Sequence, residues 1–61
     1  MYYSVEGDKW DGRRSMFHVV VFEVADKEFQ DLVNNPEIYY CRMVRVIKDP
    51  EIVKEHCKLD F

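Results

Sequence analysis

Residues 16–24 read Met-Phe-His-Val-Val-Val-Phe-Glu-Val, and this stretch directs the predicted architecture. It is apolar at nearly every position and rich in β-branched side chains, which is typical of a strand covered on both faces. A strand with one solvated face would instead alternate apolar and polar side chains. We therefore predict that residues 16–24 form the central strand of a sheet.

The segment before it predicts another strand and a long turn. Tyr3 and Val5 alternate with more polar positions in residues 2–6, the pattern of a strand with one buried face. Residues 7–15 contain both glycines and five charged side chains, which favours a loop that closes a hairpin.

After the central stretch, the apolar pattern changes to a helical one. Asp26 is suited to be the N-cap, and Phe29, Leu32 and Val33 follow at i, i+3, i+4 spacing. Asn34-Asn35-Pro36 should end this helix, because the residue before a proline is disfavoured in the helical conformation.

The last third of the chain predicts a strand and a second helix. Residues 38–48 contain four β-branched residues and two tyrosines, which favours a third strand. Asp49-Pro50-Glu51 then has the signature of a helix start, with an N-cap, a proline at the first position and an acid in the first turn. We expect a short helix to about Lys58 that buries Ile52 and Val53.

Together these elements predict one α+β domain spanning residues 1–61. The order is β-β-α-β-α, with a small three-stranded sheet, one main helix packed on one face and a short C-terminal helix. A chain of 61 residues buries too little surface to enclose a large cavity. Two short helices would leave part of a two-faced apolar sheet open, and an open patch usually marks an interface. A homodimer through this open sheet face is one expectation.

Composition excludes several classes of protein. The chain is 48% hydrophobic, which is too apolar for intrinsic disorder. Its net charge of -3 disfavours non-specific nucleic-acid binding but is compatible with a local basic patch. Its apolar runs are too short to span a membrane, and its start lacks the features of a secretory signal. We therefore expect a cytoplasmic protein whose two cysteines, Cys41 and Cys57, are reduced.

Two charged regions are candidate partner-binding surfaces. The predicted loop places Trp10 beside Arg13 and Arg14, and tryptophan and arginine are enriched at binding hot spots. Trp10 could equally fold back and pin the hairpin. The predicted helix carries Asp26, Glu28 and Asp31 within a stretch of five acids and one lysine, which could dock on a basic partner or simply be a solvated face.

The third predicted strand offers an alternative, a surface for single-stranded nucleic acid. Such platforms combine aromatic rings with cations, as found here in Tyr40, Arg42, Arg45 and Lys48. The alternation of side chains between the two faces of a strand opposes a single basic surface, because Arg45 should face away from Arg42 and Lys48.

No catalytic, metal or cofactor motif is present in the sequence. The possible zinc ligands are His18, His56, Cys41 and Cys57. No two of them have the short separation along the chain that is typical of a structural zinc site. We therefore expect no enzyme activity, no cofactor and no bound metal.

The functional prediction is a small non-enzymatic module that binds a larger protein. Short single-domain chains commonly act as inhibitors, antitoxins or takeover and anti-defence factors of phages and mobile elements. The alternatives are a single-stranded nucleic-acid-binding protein and a homodimeric structural subunit.

Overall fold

The computed structural model describes residues 1–59, which form four strands and one helix. In chain order these are β1 (Tyr2–Lys9), β2 (Arg14–Val19), α1 (Phe22–Val33), β3 (Ile38–Val46) and β4 (Pro50–Cys57). The strands pair antiparallel in the order β2-β1-β3-β4. The predicted three-stranded β-β-α-β-α fold is therefore wrong, because the observed order is β-β-α-β-β.

A tight turn joins β1 to β2 where the sequence predicted a long loop. β1 continues through Gly7 to Lys9, and the turn closes with Lys9 N donating to Arg13 O at 2.8 Å. Gly12 has a φ of 91°, a left-handed conformation that favours glycine. Three of the five charged residues of the predicted loop, Asp8, Lys9 and Arg14, are thus strand residues.

The stretch predicted as the central strand contains an edge strand and the start of the helix. β2 ends at Val19 on the outer edge of the sheet, and α1 begins at Phe22. Val21 is the N-cap, without a side-chain capping hydrogen bond, so Asp26 is not the cap but lies inside the helix. The prediction failed because the apolar residues of the strand run directly into those of the helix, with no polar boundary between them.

The predicted second helix is a strand. Val46 pairs with Pro50, residues 47–49 make the turn, and the register shifts between Met43 and Val44, where Val53 is the additional residue of β4. A helix of about nine residues with two apolar anchors is marginal in water. Pairing with β3 supplies the backbone hydrogen bonds instead, and a proline is tolerated at the start of an edge strand.

The helix covers one face of the sheet, as predicted for the main helix. The buried core comprises side chains from β1, α1 and β3: Tyr3, Val5, Ala25, Phe29, Ile38, Cys41 and Met43. Gly7 lies under the end of α1, where a Cβ would approach Leu32 Cδ1 to 3.1 Å. A Cβ at Gly7 would therefore fit only if the side chains of Leu32 and Ile38 shifted by a few tenths of an ångström.

No helix within residues 1–59 is long and apolar enough to cross a membrane.

Candidate docking face

The sheet face opposite α1 is the candidate functional surface, and we call it the open face. It is formed by alternate residues of all four strands, and no element of residues 1–59 packs over it. Its side chains border a shallow groove of about 460 Å³, lined by Tyr2, Ser4, Glu6, Met16, His18, Arg42, Val44, Val46, Pro50 and Ile52.

One half of the open face is apolar and aromatic. Cross-strand pairing places His18, Ser4, Val44 and Ile52 in one row across the sheet. The adjacent row holds Tyr2, Val46 and Pro50, and the rings of Tyr2 and His18 lie 5.4 Å apart.

These side chains differ in exposure across the rows. Val44, at the centre, is buried by its neighbours, whereas Ile52 is half exposed. This half therefore presents a rim of exposed apolar groups around a recessed centre.

An ion pair occupies the middle of the open face. Arg42 Nη2 donates to Glu6 Oε1 at 3.0 Å, and Ser4 Oγ donates to Glu6 Oε2 at 3.3 Å. Arg14 Nη1 lies 3.7 Å from the same carboxylate. Glu6 is largely buried by its neighbours on the sheet, although no helix or strand of residues 1–59 packs over it. Such a carboxylate needs these partners, because burying an unpaired charge is costly.

The other half of the open face is a network of paired polar groups. Arg14 Nε donates to Asp8 Oδ1 at 2.7 Å, and this bond is the main cause that raises the pKa of Arg14. Tyr40 Oη donates to Glu55 Oε2 at 2.8 Å, which raises the pKa of Tyr40. Among residues 1–59, no cation lies within salt-bridge distance of Glu55, so this carboxylate is available to a basic group.

The predicted nucleic-acid residues do not form one surface. Arg42 is paired with Glu6 on the open face, whereas Arg45 Nη2 donates to Glu51 Oε2 at 2.8 Å and has a raised pKa because of that bond. Lys48 lies in the turn after β3. The structure thus separates these cations and places carboxylates against both arginines.

Trp10 makes the contacts expected of a residue that pins the hairpin. Its Nε1 donates to Pro36 O at 3.1 Å, its backbone N donates to Glu37 O, and its ring lies 5.2 Å from that of Tyr39. The indole nevertheless remains more than half exposed, beside the exposed Arg13. A binding role for Trp10 and Arg13 stays a prediction.

The predicted acidic surface is dispersed along α1. Asp26 Oδ1 accepts from Lys54 Nζ at 2.5 Å, and Asp31 accepts from Lys27 at 3.2 Å. Glu28 lies between them on the helix and is exposed to an intermediate degree. The Trp10 turn contacts the segment after α1, whereas Asp26 lies in the first half of α1. The structure therefore does not join the two predicted partner-binding regions.

The cysteines and histidines form one cross-strand pair. Cys41 is opposite His56 in the β3–β4 register, but Cys41 is fully buried and burial raises the pKa of its thiol. A raised pKa disfavours the reactive thiolate. Within residues 1–59, no three His, Cys, Asp or Glu side chains are grouped so as to hold a metal ion. The pair therefore lacks the features of an activated nucleophile.

The sequence predicted an open sheet face but not most of the residues that form it. Glu6 and Tyr2 were interpreted only as the solvent side of a strand, and Ile52 was expected inside a helix. The signal that could have identified the face is the pair of opposite charges, Glu6 and Arg42, each between two uncharged neighbours in its strand. Opposite charges on two adjacent strands indicate a polar contact within a face.

Comparison with protein families, with curated proteins and with solved structures gives no significant match to this chain.

Proposed function

We propose that the protein is a non-enzymatic binding module that docks through its open face on a larger protein and acts by occupying a surface of that partner. The observation that carries this proposal is the uncovered sheet face, in which exposed apolar side chains border a central ion pair. Contiguous apolar patches that are rimmed by polar groups are typical of protein interaction sites.

The occupant that this face fits is an amphipathic helix of the partner. Helices pack on sheets through an apolar stripe, as α1 does on the opposite face, and a groove of about 460 Å³ accommodates a few side chains of such a stripe. A lysine or arginine beside the stripe would meet Glu55, whose carboxylate accepts only from Tyr40 among residues 1–59. The net charge of -3 also favours a basic partner.

The paired cations oppose the nucleic-acid alternative. A phosphate backbone is bound by cations that are free to replace its counterions. Here Arg42 would have to leave Glu6, and Arg45 would have to leave Glu51 on the other side of the sheet. Each exchange loses a charge-assisted hydrogen bond, which lowers the affinity gained from a phosphate contact.

The test is affinity capture from an extract of the native cells with three forms of the protein. These are the wild type, Ile52→Lys on the open face, and Ile47→Lys in the β3–β4 turn. Both substitutions replace an exposed isoleucine by lysine, so Ile47→Lys is the matched control. The captures are analysed by mass spectrometry with and without nuclease, and the captured protein is then purified and titrated against each form.

We expect nuclease-resistant binding that Ile47→Lys retains and that Ile52→Lys weakens at least about tenfold, since hot-spot truncations cost about 2 kcal/mol or more and about 1.4 kcal/mol is already tenfold. Hydrogen exchange should show protection of β3 and β4 by the partner. Equal binding by the two variants would contradict docking on the open face. Capture that nuclease abolishes would favour the nucleic-acid alternative.

A further inference from the structure

The two edges of the sheet differ in how they are protected against pairing with another strand. β4 carries a proline at its start, a register shift, and the charged residues Glu51, Lys54 and Glu55. All of these features block edge-to-edge association in natural sheets. β2 has none of them between Ser15 and Val19, and Arg14 is its only permanently charged residue.

Apolar side chains are exposed along and beside β2. The exposed fractions are 56% for Met16, 40% for Phe17, 67% for Val20 and 46% for Val21. Met16 lies on the open face and Phe17 on the helix face, so both sides of this edge are apolar. Residues 16–19 of β2 belong to the stretch whose sequence is typical of a strand covered on both faces, yet β2 is an edge strand.

The backbone of β2 offers a free ladder of hydrogen-bonding groups. Lys9 N donates to Arg13 O, and antiparallel pairs alternate between hydrogen-bonded and non-hydrogen-bonded. The β1–β2 register therefore directs the backbone groups of Phe17 and Val19 toward β1 and those of Met16 and His18 outward. Among residues 1–59 no strand lies beside that edge.

We propose that a second copy of the chain pairs with this edge, β2 against β2 around a two-fold axis, to form one continuous eight-stranded antiparallel sheet. β2 then becomes a central strand, with neighbours on both sides. This interface is separate from the open face and goes beyond the proposed docking function. Because the two-fold axis is perpendicular to the sheet, both helices lie on one side and both open faces on the other.

The side chains select one register for this pairing. Outward backbone groups must pair with each other, and the two registers with the most overlap between the β2 strands place Met16 opposite either His18 or Met16 of the second copy. With Met16 opposite Met16, Arg14 would lie against His18 of the second copy, so two basic groups would be adjacent. With Met16 opposite His18, Arg14 lies against the second copy's Val20, and all six residues of β2 are paired.

In this register Phe17 faces its own counterpart at the two-fold axis, as a non-hydrogen-bonded pair. Such pairs have the shorter Cα separation of about 4.5 Å, and aromatic cross-strand pairs are stabilising. Six residues extend over only about 20 Å, so the interface is smaller than the usual 800 Å² per partner. We therefore expect a weak dimer with a dissociation constant in the micromolar range.

Sedimentation velocity of the purified protein tests the association. From about 5 to 500 μM, a range that brackets micromolar affinity, the weight-average mass should rise from 7.4 kDa toward twice that value. His18→Pro removes an outward backbone donor but no bond to β1, and it should keep the protein monomeric. Ile52→Lys, on the open face, should dimerise like the wild type. Circular dichroism melting checks that each variant is folded.

Cysteine cross-linking tests the register in a Cys57→Ser background, in which the remaining Cys41 is buried. Phe17→Cys should form a disulfide-linked dimer at least about tenfold faster than Ser15→Cys, because only residue 17 lies at a distance that a disulfide can bridge to its own counterpart. A strictly monomeric wild type at 500 μM, dimerisation lost in Ile52→Lys but kept in His18→Pro, or faster cross-linking through Met16→Cys would each overturn the proposal.

Discussion

The two faces of the sheet are built from the same strands but have opposite chemistry. Under α1, the central residues Val5, Cys41 and Met43 are fully buried and apolar. On the open face, the neighbouring central residues are Ser4, Glu6 and Arg42, which are joined by hydrogen bonds. The helix face therefore supplies most of the hydrophobic stabilisation, whereas the open face keeps its charges paired at the centre and its apolar groups at the rim.

Truncation of the helix face should have the largest effect. Met43→Ala removes a fully buried side chain and should lower the free energy of unfolding by about 2 to 4 kcal/mol, whereas Ile52→Ala on the open face should lower it by less than about 1 kcal/mol. Urea unfolding of the two variants measures the difference. Met43→Leu, which nearly preserves the volume, is the control and should cost less than about 1.5 kcal/mol. Equal losses for the two alanine variants would contradict the assignment of the core to the helix face.

The central ion pair should have an intermediate effect. Glu6→Gln leaves Arg42 without its carboxylate and should destabilise the protein by about 1 kcal/mol, since Arg42 is partly exposed and water compensates part of the loss. A double-mutant cycle with Arg42→Met measures the coupling between the two residues.

The double-mutant cycle can also show that the ion pair does not stabilise the protein. If the pair contributes to stability, Glu6→Gln should cost less in the Arg42→Met background than in the wild type. Strictly additive effects would show that the pair contributes nothing to folding.

The smallest effect should come from Tyr40, at the exposed border of the open face. The hydrogen bond to Glu55 raises the pKa of Tyr40, so the folded state favours the neutral phenol. The stabilisation should be present below the usual pKa of about 10 and should be lost as the pH rises through the higher pKa of the folded state. The difference in unfolding free energy between the wild type and Tyr40→Phe should therefore shrink from pH 9 to pH 11. A difference independent of pH would contradict the role of this bond.

The sequence predicted the elements that have clear boundaries. β3 begins at Ile38 after Asn-Asn-Pro, and the predicted strand over residues 38–48 differs from it only at the end. α1 ends at Val33, immediately before the predicted stop. In both cases proline and asparagine restrict the backbone locally, so the signal does not depend on tertiary contacts.

The other elements depend on pairing that the local sequence does not specify. Residues 19–22 are all apolar, so nothing in the side chains marks where β2 ends and α1 begins. Asp49-Pro50 is compatible with a helix start or with a turn, and pairing of β4 with β3 decides between them. The open face needs the register of all four strands, because Glu6 and Arg42 are far apart in the sequence.

The pairing of β1 with β3 also has a consequence for the rate of folding. β1–β2 and β3–β4 are local hairpins, but two-stranded hairpins alone are marginally stable. They become one sheet only when β1 pairs with β3, from Tyr2 opposite Val46 to Lys9 opposite Ile38. β2 and α1 lie between these two strands in the chain. Such non-local closure is slow compared with hairpin formation. Docking of the two hairpins should therefore limit the folding rate, and mutations along the β1–β3 seam should slow refolding more than mutations in either turn.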